Sequence, residues 1–392
     1  MKIKSIRDVK NLKGKRVLLR ADFNVPIEKG KIKEDYKIAA GLPTIRFLLR
    51  YGCKIIIATH LGEPKGKKVK ELSTKPIADR LSKLLGEKVK FVEDTVGIKA
   101  GNAVNSMKNK EIVMLENLRF SYDEKNNDIK FAKELAKLAD IYVNDAFAVS
   151  HRNHASLSAI KKYLKPYAGI LLENEIKNLE KALNPKEPLI LVIGGAKIST
   201  KIKLIKKFNK IAHRILIGGA LANNFFAAHK LEVGKSLVDK NNIKVAKEYI
   251  KKYKNIILPI DIVVSSGKDG DGKPVIRNAY NIKKNETILD IGPDTIRFYS
   301  SFIKKAATII WNGPMGVFEK DRFKHGTFSI ARVIAARSGG ETFGVVGGGE
   351  TIEALRKTKM LEYVDWPSTG GGAMLSYLSG DKMPGLKKIY GK

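Results

Sequence analysis

The sequence predicts an α/β protein of two domains, each a mainly parallel sheet covered by helices on both faces. Three observations carry this expectation. Short apolar runs of strand length alternate with helix-length stretches along the chain. Several of the runs end in glycine clusters, where a backbone can turn tightly and approach something closely. The length, 392 residues, exceeds what one ordinary core holds.

In chain order, the first half offers strands at Arg16 to Arg20, Lys54 to Ala58, Val89 to Val92, Glu111 to Leu115 and Ile141 to Val143. Helical stretches between them include Pro43 to Arg50, Pro76 to Leu85 and Ile129 to Leu138. Next, Ile170, Leu171, Leu172, Ile176, Leu179 and Leu183 fall on one face of an amphipathic helix over Ile170 to Leu183. Asn184-Pro185 and Pro188 then punctuate the chain, and the domain junction is placed here. The second half repeats the scheme with strands at Leu189 to Ile193, Arg214 to Ile217, Ile256 to Leu258, Ile309 to Trp311 and Thr342 to Val346. Asp269 to Pro274 reads as a surface hairpin turn, not a calcium loop, because Tyr280 stands where that loop needs a bidentate Glu.

Composition narrows the class. Hydrophobic residues at 43% and charged residues at 29% are normal for a globular protein. No apolar run approaches the roughly 18 residues of a membrane span, and Met1 to Ser5 leads into a charged stretch, not a signal peptide. The single cysteine, Cys53, forbids an internal disulfide and agrees with a cytoplasmic location. The net charge of +34 is mostly lysine spread over the whole length. There is no Arg-rich tail, zinc-finger spacing or aromatic-glycine RNA motif. The charge is therefore read as a solvated surface, with no specific nucleic-acid partner and no membrane partner, although polyanions should adhere at low salt.

Ligands of open α/β sheets bind beyond the carboxyl ends of the strands. In the first half those ends carry Arg20-Ala21-Asp22-Phe23-Asn24, Thr59-His60, Glu116-Asn117-Leu118-Arg119 and Asn144-Asp145, followed by His151-Arg152. Each has a plain structural reading: Asp22 or Asn24 capping a turn, His60 on a carbonyl, Arg119 paired with Asp145. Together they suit a small phosphorylated, hydroxylated acid. In the second half, Gly194-Gly195, Gly218-Gly219, Gly347-Gly348-Gly349 and Gly370-Gly371-Gly372 suit phosphate at helix N-termini. Lys197 and Lys201 share a helix face beside the first of them. Glu350 and Thr351 could hold Mg²⁺ and a phosphate oxygen, or Glu350 could simply complement a helix dipole. Neither a Walker A motif nor the spaced dinucleotide fingerprint is present.

These residues resemble one family along nearly the full chain: phosphoglycerate kinase. The matching segments are Arg20 to Pro26, Leu42 to Ile45, His60 to Gly62, Leu115 to Phe120, Asn144 to Phe147, His151-Arg152, Gly194 to Lys197, Trp311 to Glu319, Gly347 to Gly349 and Ser368 to Ala373. The resemblance implies two Rossmann-like three-layer (αβα) domains with mainly parallel sheets facing a central cleft. It implies an N-terminal 3-phosphoglycerate domain (1–169), a hinge helix (170–184), a C-terminal nucleotide domain (185–377) and a tail returning to the N-terminal domain (378–392). The implied reaction is reversible, Mg²⁺-dependent in-line phosphoryl transfer between ATP and the carboxylate of 3-phosphoglycerate, after hinge closure, giving 1,3-bisphosphoglycerate and ADP. The implied acid-binding residues are Asp22, Phe23, Asn24, Lys37, His60, Leu61, Gly62, Glu63, Arg119 and Arg152. The nucleotide would meet Lys197, Lys201, Gly292, Asn312, Glu319, Gly347, Gly348, Gly349, Glu350 and Thr351, with Glu350 at the metal. Lys37, Lys201, Gly371 and Gly372 would face the migrating phosphoryl group. The family is usually monomeric.

Three positions depart from the family pattern. Lys37 and Glu63 stand where the family usually has Arg, and Glu350 where it usually has Asp. Glu63 puts negative charge where a phosphate should dock, so weak 3-phosphoglycerate binding is expected, with Lys65, Lys67 or Lys68 available to offset it. Lys37 and Glu63 leave open a related kinase with an altered acid acceptor, and the high positive charge leaves open a non-catalytic basic binding protein.

Overall fold

In a parallel strand buried on both faces, successive side chains serve different cores, and the first unit shows this directly. The computed structural model describes residues 2–391 except 197, 268 and 269, with residue 198 described in its backbone alone. It divides into two compact units, Met1–Lys177 with Asp381–Lys392, and Asn178–Gly380.

The first unit carries β1 (Arg16–Ala21), a short antiparallel ribbon of β2 (Ile27–Glu28) and β3 (Lys31–Ile32), then β4 (Lys54–Ala58), β5 (Val89–Val92), β6 (Ile112–Leu115), β7 (Ile141–Asp145) and β8 (Pro166–Ala168). Six of these form one parallel sheet in the order β5-β6-β4-β1-β7-β8. Val17, Leu19, Ile55, Ile57 and Met114 fill one core, whereas Leu18, Ile56, Val113, Leu115 and Tyr142 fill the other. Helices α1 (Tyr36–Arg50), α2 (Lys75–Leu85), α3 (Ile98–Asn105), α4 (Tyr122–Lys125) and α5 (Ile129–Lys137) occupy the connections.

Helix α1 starts seven residues earlier than the sequence suggests, with Pro43 inside it. Proline removes one N–H from the ladder. The buried stripe Ile38, Leu42, Ile45 and Leu48 outweighs that loss. Gly41 lets the helix lie close to Phe23, because a Cβ there would come 2.8 Å from the ring.

Helix α6 (Ile170–Leu183) crosses the division between the units, and its first turn is anchored in the first. Ile170 N–H donates to Thr44 Oγ1 at 2.9 Å, tying it to α1, and Leu172 N–H donates to Asp145 Oδ1 at 3.1 Å. Burial pushes the Asp145 carboxyl up to about 6, against the bonds it receives from Thr44, Leu172 and Leu171. The returning segment packs on this unit: Ile3 bridges Tyr390, Gly385 N–H reaches Ser150 O at 2.8 Å, and Leu386 and Ile389 are buried.

The second unit has strands β9 (Leu189–Ile193), β10 (Arg214–Ile217), β11 (Ile256–Ile257), β12 (Asp261–Ser265), β13 (Val275–Asn278), β14 (Thr287–Ile291), β15 (Thr308–Asn312), β16 (Phe343–Gly347) and β17 (Trp366–Ser368). Its helices are α7 (Ile198–Phe208), α8 (Gly219–Ala228), α9 (Ile243–Lys252), α10 (Pro293–Ile303), α11 (His325–Arg337), α12 (Gly349–Lys357) and α13 (Gly372–Ser379). The principal sheet is parallel, in the order β11-β10-β9-β15-β16-β17. A second, antiparallel sheet, β13-β12-β14, is not anticipated by the apolar-run reading. The turn read at Asp269 to Pro274 falls within the connection from β12 to β13, and residue 269 lies outside the described residues.

Gly169, just before α6, leaves no room for a side chain: a Cβ would stand 2.2 Å from Asp145 Oδ1. Gly169→Ala is expected to cost about 1–3 kcal/mol through forced displacement of the capping carboxyl. A urea unfolding midpoint unchanged from wild type would sink this expectation.

Candidate active site

The first constellation lies at the carboxyl ends of β1, β4, β6 and β7, around the strand where the order reverses. Asp22, just past β1, accepts a 2.7 Å bond from Lys37 Nζ on α1. The next strand end supplies Thr59 and His60, and Phe23 N–H donates to Thr59 Oγ1 at 3.0 Å. Asn24 Oδ1 accepts from Gly62 N–H at 2.9 Å, while Asn117 Oδ1 accepts from Leu61 N–H and Arg119 N–H, both at 3.1 Å. The polar strand ends are thus stitched together by their own side chains.

His60 is fully enclosed. Burial first, then Arg20, Arg119, Lys37 and Arg152, hold its pKa well below the usual imidazole value. Arg20 Nη2 lies 3.3 Å from His60 Nδ1. Arginine always donates, so Nδ1 accepts and the neutral ring carries its proton on Nε2. Arg20 is fixed in turn by Ser156 Oγ at 2.9 Å and Ala21 O at 2.5 Å, with buried Glu124 at 4.0 Å.

Arg119 is only 4% exposed. Its Nη1 donates to Gly62 O at 2.7 Å and lies 3.3 Å from Glu63 Oε2. Its buried Nε and Nη2, and Nε of Arg152, have no hydrogen-bond partner among the described residues. Buried donors of this kind are costly unless an anion completes them. Glu63 supplies part of that anion, because Lys125 Nζ holds its other oxygen at 2.7 Å. The Lys125 bond, then the charges of Arg119, Lys125 and Arg152, keep the Glu63 carboxyl below the usual range.

The second constellation lies where the strand order of the other principal sheet reverses, at β9 and β15. Gly194 N–H donates to Asn312 O at 3.0 Å and Gly195 N–H to Pro314 O at 2.8 Å, closing the two strand ends on each other. The buried Lys201 ammonium, on α7, donates to Gly194 O and lies 3.4 Å from Asn312 O. Burial pulls its pKa down to about 8, against the raising effect of Glu350. A pocket of about 250 Å³ opens beside Gly195, with Leu237, Pro259, Ile288 and Leu289 as an apolar wall and Glu319 and Glu350 at its lining. Asp290 also lines it, and burial pushes that carboxyl up to about 8, so it adds little charge at neutral pH. An apolar wall beside glycine turns, with the Lys201 ammonium close to Gly195, suits a nucleotide.

Other expected residues serve the frame. Asn312 Nδ2 donates to Gly347 O at 2.7 Å, and Thr351 Oγ1 accepts from Gly313 N–H at 2.8 Å. Gly292 caps α10, where a Cβ would strike the Asp261 carboxylate at 2.3 Å. Gly348 takes a left-handed φ of 103° before α12, which begins at Gly349 and carries Glu350 in its first turn. Gly371, with φ 49°, and Gly372 open α13, which packs on α7. Lys197 lies outside the described residues.

Two sequence expectations are corrected. Arg119 does not pair with Asp145, whose carboxylate is taken by the start of α6. Glu63 is offset by Lys125 and Arg119, not by Lys65, Lys67 or Lys68, and Lys68 faces Asp94 instead. Lys125, Leu237 and Leu289 have no sequence signal of their own, since each is an ordinary residue brought to its site only by folding.

Known proteins resemble the chain along nearly its whole length. A family profile described as phosphoglycerate kinase matches residues 6–381. The phosphoglycerate kinase of Borreliella burgdorferi (strain ZS7) is 41% identical over 99% of this chain and 100% of its own length. That of Moorella thermoacetica is 43% identical over 96% of each. Two solved structures superpose closely. Phosphoglycerate kinase from Coxiella burnetii has a TM-score of 0.86 at 36% identity, covering 99% of each chain. The enzyme from Pyrococcus horikoshii OT3 has a TM-score of 0.87 at 34% identity, covering 99% of this chain and 98% of its own.

Because Glu63 shares Arg119 with any incoming anion, Glu63→Gln is expected to tighten inorganic phosphate binding about fivefold, as loss of one partly exposed competing charge. Isothermal titration of both proteins at equal ionic strength reads this. Equal affinities would mean that Glu63 does not compete.

Proposed function

The chain belongs to the phosphoglycerate kinase family, and we propose that its residues carry the family reaction as follows. The observation that supports this most is the family match over residues 6–381. The enzyme moves a phosphoryl group between ATP and the carboxylate of 3-phosphoglycerate. The acceptor is already ionised at neutral pH, so no general base is required, and catalysis rests on alignment and charge.

In our reading the first unit holds the acid. The protonated Nε2 of neutral His60 and the buried Nε and Nη2 of Arg119 act as donors to its phosphate, with Arg152. Asp22 and Asn24 position the glycerate, and Lys37, held on Asp22, is released toward the reacting carboxylate. Lysine offers a point charge where arginine offers a fork, so alignment relies more on the surrounding bonds. The second unit holds the nucleotide. The apolar wall takes the base, Glu319 the ribose, and Lys201 the phosphates. The N–H groups of Gly371 and Gly372, at the positive end of α13, receive the phosphoryl group in flight.

The family implies Mg²⁺ with the nucleotide. One carboxylate beside the phosphates is a common arrangement for that ion, and Glu350, exposed at the pocket lining in the first turn of α12, fits it. When bound, the ion neutralises phosphate charge. The reading also includes a monomer working in the cytoplasm.

A coupled assay with ATP, Mg²⁺ and 3-phosphoglycerate tests the proposal. Wild type should turn over, and Lys201→Met should lose about a hundredfold or more in kcat. Nucleotide binding without turnover in the wild type would overturn the acceptor assignment. The sign of the pH effect follows from Lys201. Its folded pKa of about 8 means the ammonium is charged below that value and neutral above it. Affinity for MgADP should therefore fall as pH rises through 8, by up to about tenfold per unit. In Lys201→Met this dependence should vanish, and an identical profile in both proteins would contradict the role.

A further inference from the structure

A second basic cluster, outside the lining of both constellations, lies where the returning C-terminal segment meets the first unit. It surrounds a pocket of about 460 Å³ whose lining includes Lys4, Lys161, Lys162, Lys165 and Lys388 and no acidic residue. Three of these ammonium groups form a chain of bonds to carbonyls. Lys161 Nζ donates to Pro384 O at 2.5 Å, Lys388 Nζ to Lys161 O at 3.0 Å, and Lys4 Nζ to Lys388 O at 3.2 Å.

This arrangement is unfavourable on its own. Lys161 is only 6% exposed, and burial together with Lys388 and Lys387 pulls its pKa down to about 7. Lys388 takes a left-handed backbone, φ 68°, that a side-chain-bearing residue adopts at a cost. None of the five lysines has a carboxylate within ion-pair distance among the described residues. A carbonyl carries only partial charge and takes one of the three donors of Lys4, Lys161 and Lys388, so no full counter-charge faces the cluster. Like charges gathered without counter-charge are the signature of a site for an anion.

The lining lysines come from three separate chain segments, and their five ammonium groups outnumber the roughly two negative charges of one phosphate. We propose that this pocket binds a short oligophosphate anion, whose contiguous phosphates engage Lys161, Lys162 and Lys165 together with Lys4 and Lys388. Lysine suits such a ligand, as a mobile point charge. Because Lys388 and the carbonyl of Pro384 belong to the returning segment, the ligand also fastens that segment to the first unit.

Hydrogen exchange on the full chain, titrated with inorganic tripolyphosphate at constant ionic strength, tests this. The amides of Gly385, Ile389 and Gly391, which bond Ser150, Leu386 and Lys2, should slow in a saturable way. Lys161→Met should abolish the effect, but it removes a bond that holds the segment. Lys162→Gln/Lys165→Gln leaves all three carbonyl bonds intact and should raise the midpoint about tenfold, as expected for two lost charge-assisted contacts. Orthophosphate should give no saturable protection. The proposal is overturned if tripolyphosphate leaves these amides unchanged, if the double variant keeps the wild-type midpoint, or if orthophosphate saturates at the same concentration. Protection by random single-stranded RNA at lower concentration than tripolyphosphate would also overturn it, in favour of a nucleic-acid face.

Discussion

All strands of each principal sheet run the same way, and this one constraint decides where chemistry can happen. A parallel sheet needs a crossover after every strand, so the carboxyl ends of its strands collect on one edge, facing the starts of the following helices. In the first unit that edge receives Asp22, His60, Arg119 and Asp145 from four different strands. In the second it receives Gly194 and Gly313, and the helix after Gly194 delivers Lys201 back to both strand ends. The apolar strands hold the layers together, and the residues just beyond them are left to bind.

The two units keep positive charge in different ways. Arg119 and Lys37 rest against the carboxylates Glu63 and Asp22, so a ligand must displace an internal anion or share with it. Lys201 rests against carbonyls, which compete weakly, and burial lowers its pKa. A counter-carboxylate protects charge at the expense of affinity, whereas a carbonyl cradle keeps the donor available and its burial makes it sensitive to pH. His60 follows a third course: crowded by cations, it stays neutral and acts through a fixed tautomer.

Much of the frame is legible in the sequence because continuous β-branched runs have few other uses. Strands β4, β5, β9 and β10 and helix α6 match their expected bounds. The edge strands β8 and β17 escape notice since each is three residues long and contains proline, which only an edge position tolerates. The start of α1 is hidden by Pro43, a helix breaker overridden by tertiary burial. Asp22, His60 and Arg119 can be singled out as polar residues directly after apolar strands. Lys125 cannot, because its relation to Glu63, 62 positions away, exists only in three dimensions. The charges that modify a site come from anywhere in the chain, whereas those that define it sit at fixed places in the topology.

The chain leaves the first unit after Lys177, builds the second, and comes back at Asp381. The second unit is therefore an insertion, continuous in sequence, while the first is split. During synthesis the inserted unit has all its residues before the first has its final segment, with buried Leu386 and Ile389 and the Tyr390 bridge to Ile3. The unit that starts first at the ribosome is thus the one completed last, and its apolar seat for Leu386 and Ile389 stays uncovered throughout the making of the other.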